Sequence, residues 1–179
     1  MSLGPDDLER HKRHILLKEI GGPGVQKLRA ASVSIIGAGA LGGPCALYLA
    51  AAGIGRIEIW DDDHVERSNL QRQIQFGETD AGAPKAARLA EHLRAAHPGL
   101  DISSVGQRFR AGDAPTGAML VDASDNFETR FALNRLAHAS RRALVSGAAS
   151  GWTGQVGVFA SGLIPGAPCY QCWVPEAPP

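Results

Sequence analysis

The segment VSIIGAGALGG, residues 33–43, constrains the fold of this chain more than any other part of the sequence. It is a short apolar run that leads into a G-x-G-x-x-G spacing at Gly37, Gly39 and Gly42. Between a strand and a helix, the first glycine permits the turn, the second admits a phosphate, and the third lets the helix pack on the strand. The segment therefore predicts a phosphate-binding loop at a helix N-terminus, with a packing turn as the alternative. The spacing suits the pyrophosphate of NAD and the triphosphate of ATP equally.

Apolar and amphipathic segments alternate along the chain. Strands are predicted at residues 33–36, 56–60, 102–105, 118–122, 143–146 and 155–159, and helices at residues 8–18, 25–30, 41–52, 84–96 and 125–140. The last helix opens on DNFE, which predicts a capping box from Asp125 to Glu128. This order predicts an α/β fold: a Rossmann-like, doubly wound, mainly parallel sheet with flanking helices and an N-terminal helical segment.

Length and composition limit the class of protein. We expect one domain from 179 residues, with a helical segment at 1–30, a Rossmann-like core at 31–160 and a proline-rich loop at 161–179. Lys and Arg total 18, as do Asp and Glu, which gives no support for a nucleic-acid partner. No apolar run approaches the ~20 residues of a membrane helix, and three cysteines without a secretory signal argue against a disulfide scaffold. We therefore expect a cytoplasmic protein without a membrane or nucleic-acid partner.

Polar and charged residues follow the second predicted strand. Asp61 lies at the strand end, where a carboxylate accepts hydrogen bonds from the ribose of either nucleotide. SNLQRQ, residues 68–73, then offers Arg72 among amide and hydroxyl groups, and Lys85 lies near the start of the next helix. Each cation alone is more typical of a solvated surface. Together they favour ATP, because a triphosphate needs more positive charge than a helix N-terminus supplies.

Two further groups suggest metal binding. Asp125 lies in DASDN after a predicted strand, where its carboxylate suits magnesium, although capping of the next helix is the alternative. Cys169 and Cys172 form a C-x-x-C pair, which is half of a four-ligand zinc site. Cys45 is expected inside a helix, so the zinc ligand set is incomplete, and a redox pair or two free thiols remain as alternatives.

Taken in order, these motifs resemble the MoeB/ThiF/HesA family, adenylyltransferases related to the ubiquitin-activating enzymes. The similarity covers nearly the whole chain through RHKRHILL, GAGALGG, DDDHVERSNLQRQ, DASDNFETR, VSGAASGWTGQV and PCYQCWVPEAPP. It implies that the single domain is an ATP-binding adenylation domain. The implied reaction activates the C-terminal carboxylate of a small ubiquitin-like sulfur-carrier protein, in molybdopterin or thiamine synthesis, as an acyl-adenylate. ATP, magnesium and a homodimer are implied as well.

The resemblance also implies roles for individual residues. The nucleotide would be bound by Gly37, Gly39, Ala40, Gly42, Asp61, Asp63, Ser68, Asn69, Arg72, Gln73, Lys85, Asp125 and Asn126. Among these, Arg72, Lys85 and Asp125 would be catalytic, and Asp125 would also hold magnesium. Arg13 would be catalytic as well, because it would reach the phosphates of the ATP bound by the partner subunit. Cys169 and Cys172 would be half of a zinc site.

Members of this family continue beyond the point where this sequence stops. We therefore expect either a fragment or a shortened relative, and we assign no covalent cysteine. Two other functions stay open. A nicotinamide-dependent oxidoreductase would leave Arg72 and Lys85 unexplained, and the sequence shows no catalytic His or Tyr-Lys arrangement downstream of the loop. The other is a nucleotide-binding or dimer-forming module without catalysis, which is supported only by the point at which the sequence stops.

Overall fold

A mainly parallel six-stranded sheet forms the centre of the molecule. The computed structural model describes residues 3–177; residues 1, 2, 178 and 179, which belong to the predicted terminal segments, lie outside this range. The strands are β1 (Ser32–Ile36), β2 (Arg56–Trp60), β3 (Asp101–Val105), β4 (Met119–Asp122), β5 (Ala143–Ser150) and β6 (Thr153–Phe159). Their order is β3-β2-β1-β4-β5-β6, and β5 and β6 alone among these pairs are antiparallel. The prediction of a doubly wound, mainly parallel sheet is confirmed.

Helices flank this sheet and precede it. They are α1 (Pro5–Ile15), α2 (Gly21–Ala30), α3 (Gly42–Ala52), α4 (Lys85–Ala96), α5 (Phe127–Ala139) and α6 (Tyr170–Trp173). Among residues 3–177, no helix has the length and hydropathy that a membrane span requires.

Both faces of the central strands β1, β2 and β4 are buried, which explains their nearly continuous apolar sequences. Ile35 and Ile57 lie in a hydrophobic cluster with Leu89 of α4. The next residue of β1, Ile36, belongs to a second cluster that includes Leu133 of α5. Side chains of consecutive strand residues point to opposite faces, so a single strand supplies both layers of the core.

Several element boundaries differ from the prediction, among them the end of α1, which is Ile15 instead of residue 18. Helix α1 begins at Pro5 instead of residue 8, because proline and the acidic residues that follow it suit a first helical turn. Helix α2 begins at Gly21 instead of residue 25, with Pro23 accepted in its first turn. Strands β5 and β6 extend beyond the parallel sheet as a hairpin that closes at Ser150 and Thr153.

The C-terminal segment, predicted to have no regular structure, contains the short helix α6. Tyr170 holds this helix in place. Its side chain is completely buried, and its backbone N–H donates a hydrogen bond to Asn134 Oδ1 at 2.8 Å. The Tyr170 ring also packs edge-on against Phe159 of β6, with 5.5 Å between the centroids. The loop that carries the two cysteines is thereby attached to α5 and the sheet.

The cap of α5 corrects one prediction. Asn126, not Asp125, is the N-cap, and its Oδ1 accepts a hydrogen bond from the Thr129 N–H at 2.9 Å. Both residue types are good caps, so the sequence did not distinguish between these neighbours. Because the cap falls one residue later, the Asp125 carboxylate is exposed just ahead of the helix.

Candidate functional site

A cleft of about 1110 Å³ opens at the carboxyl ends of the parallel strands. Ligands of doubly wound sheets bind at this edge, next to the point where strand order reverses. The glycine loop after β1, the end of β2, the start of α5 and the β5–β6 hairpin all contribute to its wall. The structure brings most of the predicted nucleotide-binding residues to this wall: Gly37, Gly39, Ala40, Asp61, Asp63, Asn69, Arg72, Gln73, Lys85, Asp125 and Asn126.

Other predicted residues lie outside the wall of the cleft. The Ser68 hydroxyl donates a hydrogen bond to Glu66 Oε2 at 3.0 Å. Arg13 is exposed on α1 and does not line the cleft of its own chain. Cys169 and Cys172 do not line the cleft, and Cys169 contacts Asn134 in the middle of α5.

The three motif glycines have distinct steric roles. Gly37 has φ +101°, and a Cβ there would lie 2.6 Å from the Ala123 carbonyl oxygen. A Cβ on Gly42 would lie 1.7 Å from the Gly37 carbonyl oxygen, so Gly42 is needed for packing although it does not line the cleft. A Cβ on Gly39 would approach nothing closer than Gln73, at 3.8 Å. The middle glycine therefore has open space beside it, at a residue that lines the cleft.

Asp61 connects the end of β2 to the glycine loop. Its Oδ2 accepts a hydrogen bond from the Ala38 N–H at 2.6 Å, and its Oδ1 accepts one from the Asp63 N–H at 2.8 Å. Burial raises the pKa of Asp61 above its ordinary value, against the opposing effect of these two donors and of Lys85. The side chain is held at the cleft wall, with oxygen lone pairs left to accept hydrogen bonds from a ligand hydroxyl.

Two predicted cations reach the cleft in different ways. Lys85 is buried at the start of α4, with Nζ 2.9 Å from Asp63 Oδ2. Arg72 is exposed, and Nη1 donates one long hydrogen bond to the Ser68 carbonyl oxygen at 3.4 Å. One cation is therefore fixed in place and the other keeps its donors available to a ligand.

Sequence reasoning missed two more arginines in the cleft. Arg108, after β3, forms an ion pair with Asp62 at 3.3 Å. Arg130 is buried on α5 and donates to the Ser124 carbonyl oxygen at 2.6 Å. A signal for each existed: Arg108 follows a strand at the carboxyl edge, and Arg130 lies one helical turn after Asn126.

Sequence reasoning also missed two aromatic residues that line the cleft. Trp60, the last residue of β2, and Phe109 both line the wall, and their rings meet edge-on with 5.9 Å between the centroids. Nothing in the sequence pattern set Trp60 apart from an ordinary buried strand residue. The cleft therefore has an apolar wall as well as a cationic one.

Gln73 brings an unsatisfied acceptor to the cleft. Its Nε2 donates a hydrogen bond to Asn69 Oδ1 at 3.2 Å, whereas its buried Oε1 has no partner among residues 3–177. A buried acceptor without a partner costs ~1–3 kcal/mol. A hydroxyl or amino group of a ligand would satisfy this oxygen, which is the kind of donor that a nucleoside presents.

The C-x-x-C pair does not complete a zinc site by itself. Cys169 Sγ lies 3.5 Å from Cys172 Sγ and accepts a hydrogen bond from Asn134 Nδ2 at 3.4 Å. Burial raises the pKa of the Cys169 thiol, but the hydrogen bonds from Asn134 and Cys172 outweigh it and leave this pKa below its ordinary value. Structural zinc takes four ligands. Within residues 3–177, the one group of three or more candidate metal ligands is Asp61, Asp62 and Asp63, far from this pair in the chain.

Sheet order, glycine loop and cleft position together define a Rossmann-type α/β fold. The chain belongs to the ThiF family, whose sequence model matches residues 11–179. The resemblance seen in the motifs is thereby confirmed.

Two curated relatives cover almost the whole chain. It is 41% identical over 182 residues to the SAMP-activating enzyme E1 of Haloferax volcanii, a match that covers 99% of this chain and 66% of the relative. It is 38% identical over 180 residues to the sulfur carrier protein adenylyltransferase of Thermus thermophilus, covering 97% of this chain and 66% of the relative. The chain thus spans slightly less than two thirds of the length of each relative.

A solved structure shares the fold. The crystal structure of E. coli MccB with MccA-N7isoASN superposes with a TM-score of 0.79 at 24% sequence identity. The match covers 91% of this chain and 50% of the other.

Proposed function

We propose that this chain carries the ATP-binding and adenylating site of an enzyme that activates the C-terminal carboxylate of a small ubiquitin-like sulfur-carrier protein. The observation that carries the proposal is the position of Lys85, buried beside Asp63 at the wall of the same cleft as the glycine loop and Arg72. A pyrophosphate bound at a helix N-terminus does not need these cations, whereas a triphosphate does. The names of the relatives, a sulfur carrier protein adenylyltransferase and an activating enzyme E1, support the same assignment.

The reaction suits a site without a general base. A C-terminal carboxylate is ionised at neutral pH and is already the nucleophile. One of its oxygens attacks the α-phosphorus of ATP, the bond between the α- and β-phosphates breaks, and pyrophosphate leaves with the electron pair. Such a site works by positioning its reactants and by stabilising charge on the phosphates.

The proposed roles follow the geometry of the wall. Gly37, Gly39 and Ala40 form the loop for the phosphates, and Gly42 sets the helix behind it. Asp61 accepts hydrogen bonds from the ribose. Lys85 and Arg72 stabilise the negative charge that moves onto the leaving pyrophosphate. The remaining predicted ligands, Asp63, Ser68, Asn69, Gln73 and Asn126, support the cations and the nucleoside.

Magnesium fits the exposed carboxylate of Asp125. This side chain stands at the cleft wall, and the cap role belongs to its neighbour Asn126. Carboxylate oxygens together with phosphate oxygens are the usual ligands of magnesium, which supplies charge neutralisation of the phosphates when bound. Asp125 would hold the ion at the cleft wall.

Three wider features remain proposals. The chain forms one adenylation domain, and it acts as a homodimer in which exposed Arg13 reaches the phosphates in the partner's cleft. The pathway is molybdopterin or thiamine synthesis, as the family resemblance implies. The two thiols of Cys169 and Cys172 would provide two zinc ligands, and we derive no step from that metal.

Ligand-dependent unfolding tests the nucleotide. Magnesium-ATP at about 100 times its Kd should raise the free energy of unfolding by ~2.7 kcal/mol, and NAD should leave it unchanged. Stabilisation by NAD alone would show that the chain is a nicotinamide-binding protein instead.

Isotope exchange tests the chemistry. Labelled pyrophosphate should enter ATP when a sulfur-carrier protein with an intact C-terminus is present. The matched control is the same carrier without its last residue, which should not support exchange. ATP binding without exchange for any carrier would support a module that has lost catalysis.

A further inference from the structure

A buried carboxamide lies directly behind the glycine loop. Gln75 is 6% exposed and does not line the cleft. Its Nε2 donates hydrogen bonds to the carbonyl oxygens of Ala38 at 2.8 Å and Gly39 at 3.1 Å. The reversed amide would place Oε1 against both carbonyl oxygens, so these two contacts fix which end of the carboxamide faces the loop.

These two contacts, together with the hydrogen bond from the Gly43 N–H to the Gly39 carbonyl oxygen at 3.0 Å, determine where the loop's N–H groups point. In a trans peptide the C=O of one residue and the N–H of the next point in opposite directions. The carbonyls of Ala38 and Gly39 face Gln75, so the N–H groups of Gly39 and Ala40 face away from it. Both of these residues line the cleft, and neither N–H donates to a backbone acceptor among residues 3–177.

The loop is held from its other side by Asp61. That carboxylate accepts the Ala38 N–H at 2.6 Å, whereas Gln75 donates to the Ala38 carbonyl oxygen. The Asp61 side chain therefore accepts from a backbone N–H of the loop, and the Gln75 side chain donates to its backbone carbonyl oxygens. The two contacts of Gln75 hold the peptide groups on either side of Gly39, and the contact of Asp61 holds the peptide group before Ala38. None of these three peptide groups can rotate without breaking a hydrogen bond.

Gly43 makes the space in which Gln75 lies. A Cβ on Gly43 would come within 2.2 Å of the Gln75 carboxamide carbon. This glycine is outside the G-x-G-x-x-G spacing, so its role had no explanation in the motif. The Gln75 main chain is anchored as well, since its carbonyl oxygen lies 3.0 Å from His92 Nδ1 of α4.

We propose that Gln75 is a positioning residue of the nucleotide site, which turns the N–H groups of Gly39 and Ala40 toward the phosphates of the bound nucleotide. The inference rests on the proposed function, because it needs a phosphate ligand in this cleft. Gln75 does not touch the ligand. It acts through two peptide groups that do, and those N–H groups form charge-assisted hydrogen bonds with phosphate oxygens.

The test compares a nucleotide with its nucleoside. Gln75→Met keeps the length of the side chain and removes the donors, and Gln75→Glu keeps its shape and places a carboxylate beside two carbonyl oxygens. Calorimetry gives the Kd of magnesium-ATP and of adenosine for each variant. We expect ATP to bind more weakly by on the order of tenfold or more, while adenosine binds within about twofold of the wild type. The matched controls are Gln71→Met and Gln71→Glu, since Gln71 is exposed and lies, like Gln75, in the segment between β2 and α4.

The difference between the two ligands separates positioning from folding. A purely structural role would weaken adenosine and ATP by the same factor, which would overturn the proposal, as would ATP binding unchanged in both Gln75 variants. Amide chemical shifts of Gly39 and Ala40 on titration with ATP provide a second readout, and they should move in the wild type and much less in Gln75→Met. A wild-type chain that binds adenosine and no ATP would contradict the proposed function itself.

Discussion

Lys85 is joined to Asp63 by two contacts, one through the side chain and one through the backbone. Lys85 Nζ lies 2.9 Å from Asp63 Oδ2, and the Lys85 N–H donates to the Asp63 carbonyl oxygen, also at 2.9 Å. The lysine side chain is 7% exposed, whereas that of the aspartate is 61% exposed. The first turn of α4 is thereby tied to the segment that follows β2, and the ammonium group is held at the wall of the cleft.

This arrangement makes Lys85→Met a test of catalysis more than of folding. The partner carboxylate stays in solvent when the lysine is removed, so no buried charge is left without a partner. We expect pyrophosphate exchange to fall by on the order of 10²–10³, as for a lost transition-state donor. Exchange assays and urea unfolding measure the two effects. Lys27→Met, at an exposed position of α2, is the control and should be active. Exchange near the wild-type rate in Lys85→Met would remove this residue from the site.

Arg72→Ala separates activity from stability more completely. The side chain is exposed and its one hydrogen bond, to the Ser68 carbonyl oxygen, is 3.4 Å long. We expect exchange to fall by on the order of 10²–10³, while the free energy of unfolding changes by no more than ~0.5 kcal/mol. Arg67→Ala in the same segment is the matched control, because Arg67 pairs with Glu78 at 3.1 Å and does not line the cleft. Equal losses in the two variants would point to a general effect of charge.

Much of the fold could be predicted because local pattern and tertiary packing agree. The apolar run before Gly37 is buried on both faces, so its composition alone marks a central strand. The antiparallel hairpin is different: β5 continues to Ser150 because β6 pairs with it, and no property of residues 147–150 by themselves predicts that partner. The ladder is a long-range contact, which a reading of local periodicity does not contain.

In the candidate site, too, features that depend on local sequence could be predicted and features that depend on long-range contacts could not. Asp61 and Asp125 follow strands, so the rule for parallel sheets predicts their meeting at one edge. Gln75 was not predicted, since its role depends on two carbonyl groups that are 37 and 36 residues earlier in the chain. The choice of Asn126 over Asp125 as the cap depends on the path of the backbone at the end of β4, because both residue types have similar capping strength.

Substitution of Asn126 should therefore lower the stability of the fold, whereas substitution of its neighbour Asp125 should weaken magnesium-dependent binding of ATP. Asn126→Ala removes the cap bond to the Thr129 N–H and should lower the free energy of unfolding by ~0.5–2 kcal/mol. Asp125→Ala leaves that bond in place, so its stability should stay within ~0.5 kcal/mol of the wild type. The same change should weaken the binding of ATP in magnesium much more than in EDTA. Urea unfolding and calorimetry with and without magnesium measure both effects, and a cap-like loss of stability in Asp125→Ala would restore the original assignment.

Glu58 should make the free energy of unfolding depend on pH in the acidic range. This buried carboxylate of β2 accepts hydrogen bonds from the Ser34 hydroxyl at 2.6 Å and from Trp60 Nε1 at 2.9 Å. The N–H and hydroxyl of Thr116 also donate to it, at 2.9 and 3.0 Å. Burial raises the pKa of Glu58, but the hydrogen bonds from Ser34, Trp60 and Thr116 outweigh it and bring this pKa below its ordinary value.

A pKa that is lower in the folded chain than in the unfolded chain means that folding favours the ionised form. The contribution of Glu58 to stability is then complete above the unfolded pKa and is lost as the pH falls through the folded pKa. Glu58→Gln should cost ~1–3 kcal/mol at neutral pH, because an NH2 group replaces one acceptor oxygen and faces buried donors. The difference between variant and wild type should shrink as the pH falls from about 7 to about 3, through the ordinary range of a glutamate. Urea unfolding across this range measures it, with exposed Glu128→Gln as the control. A difference that stays constant with pH would show that the Glu58 carboxylate is not preferentially ionised in the folded chain.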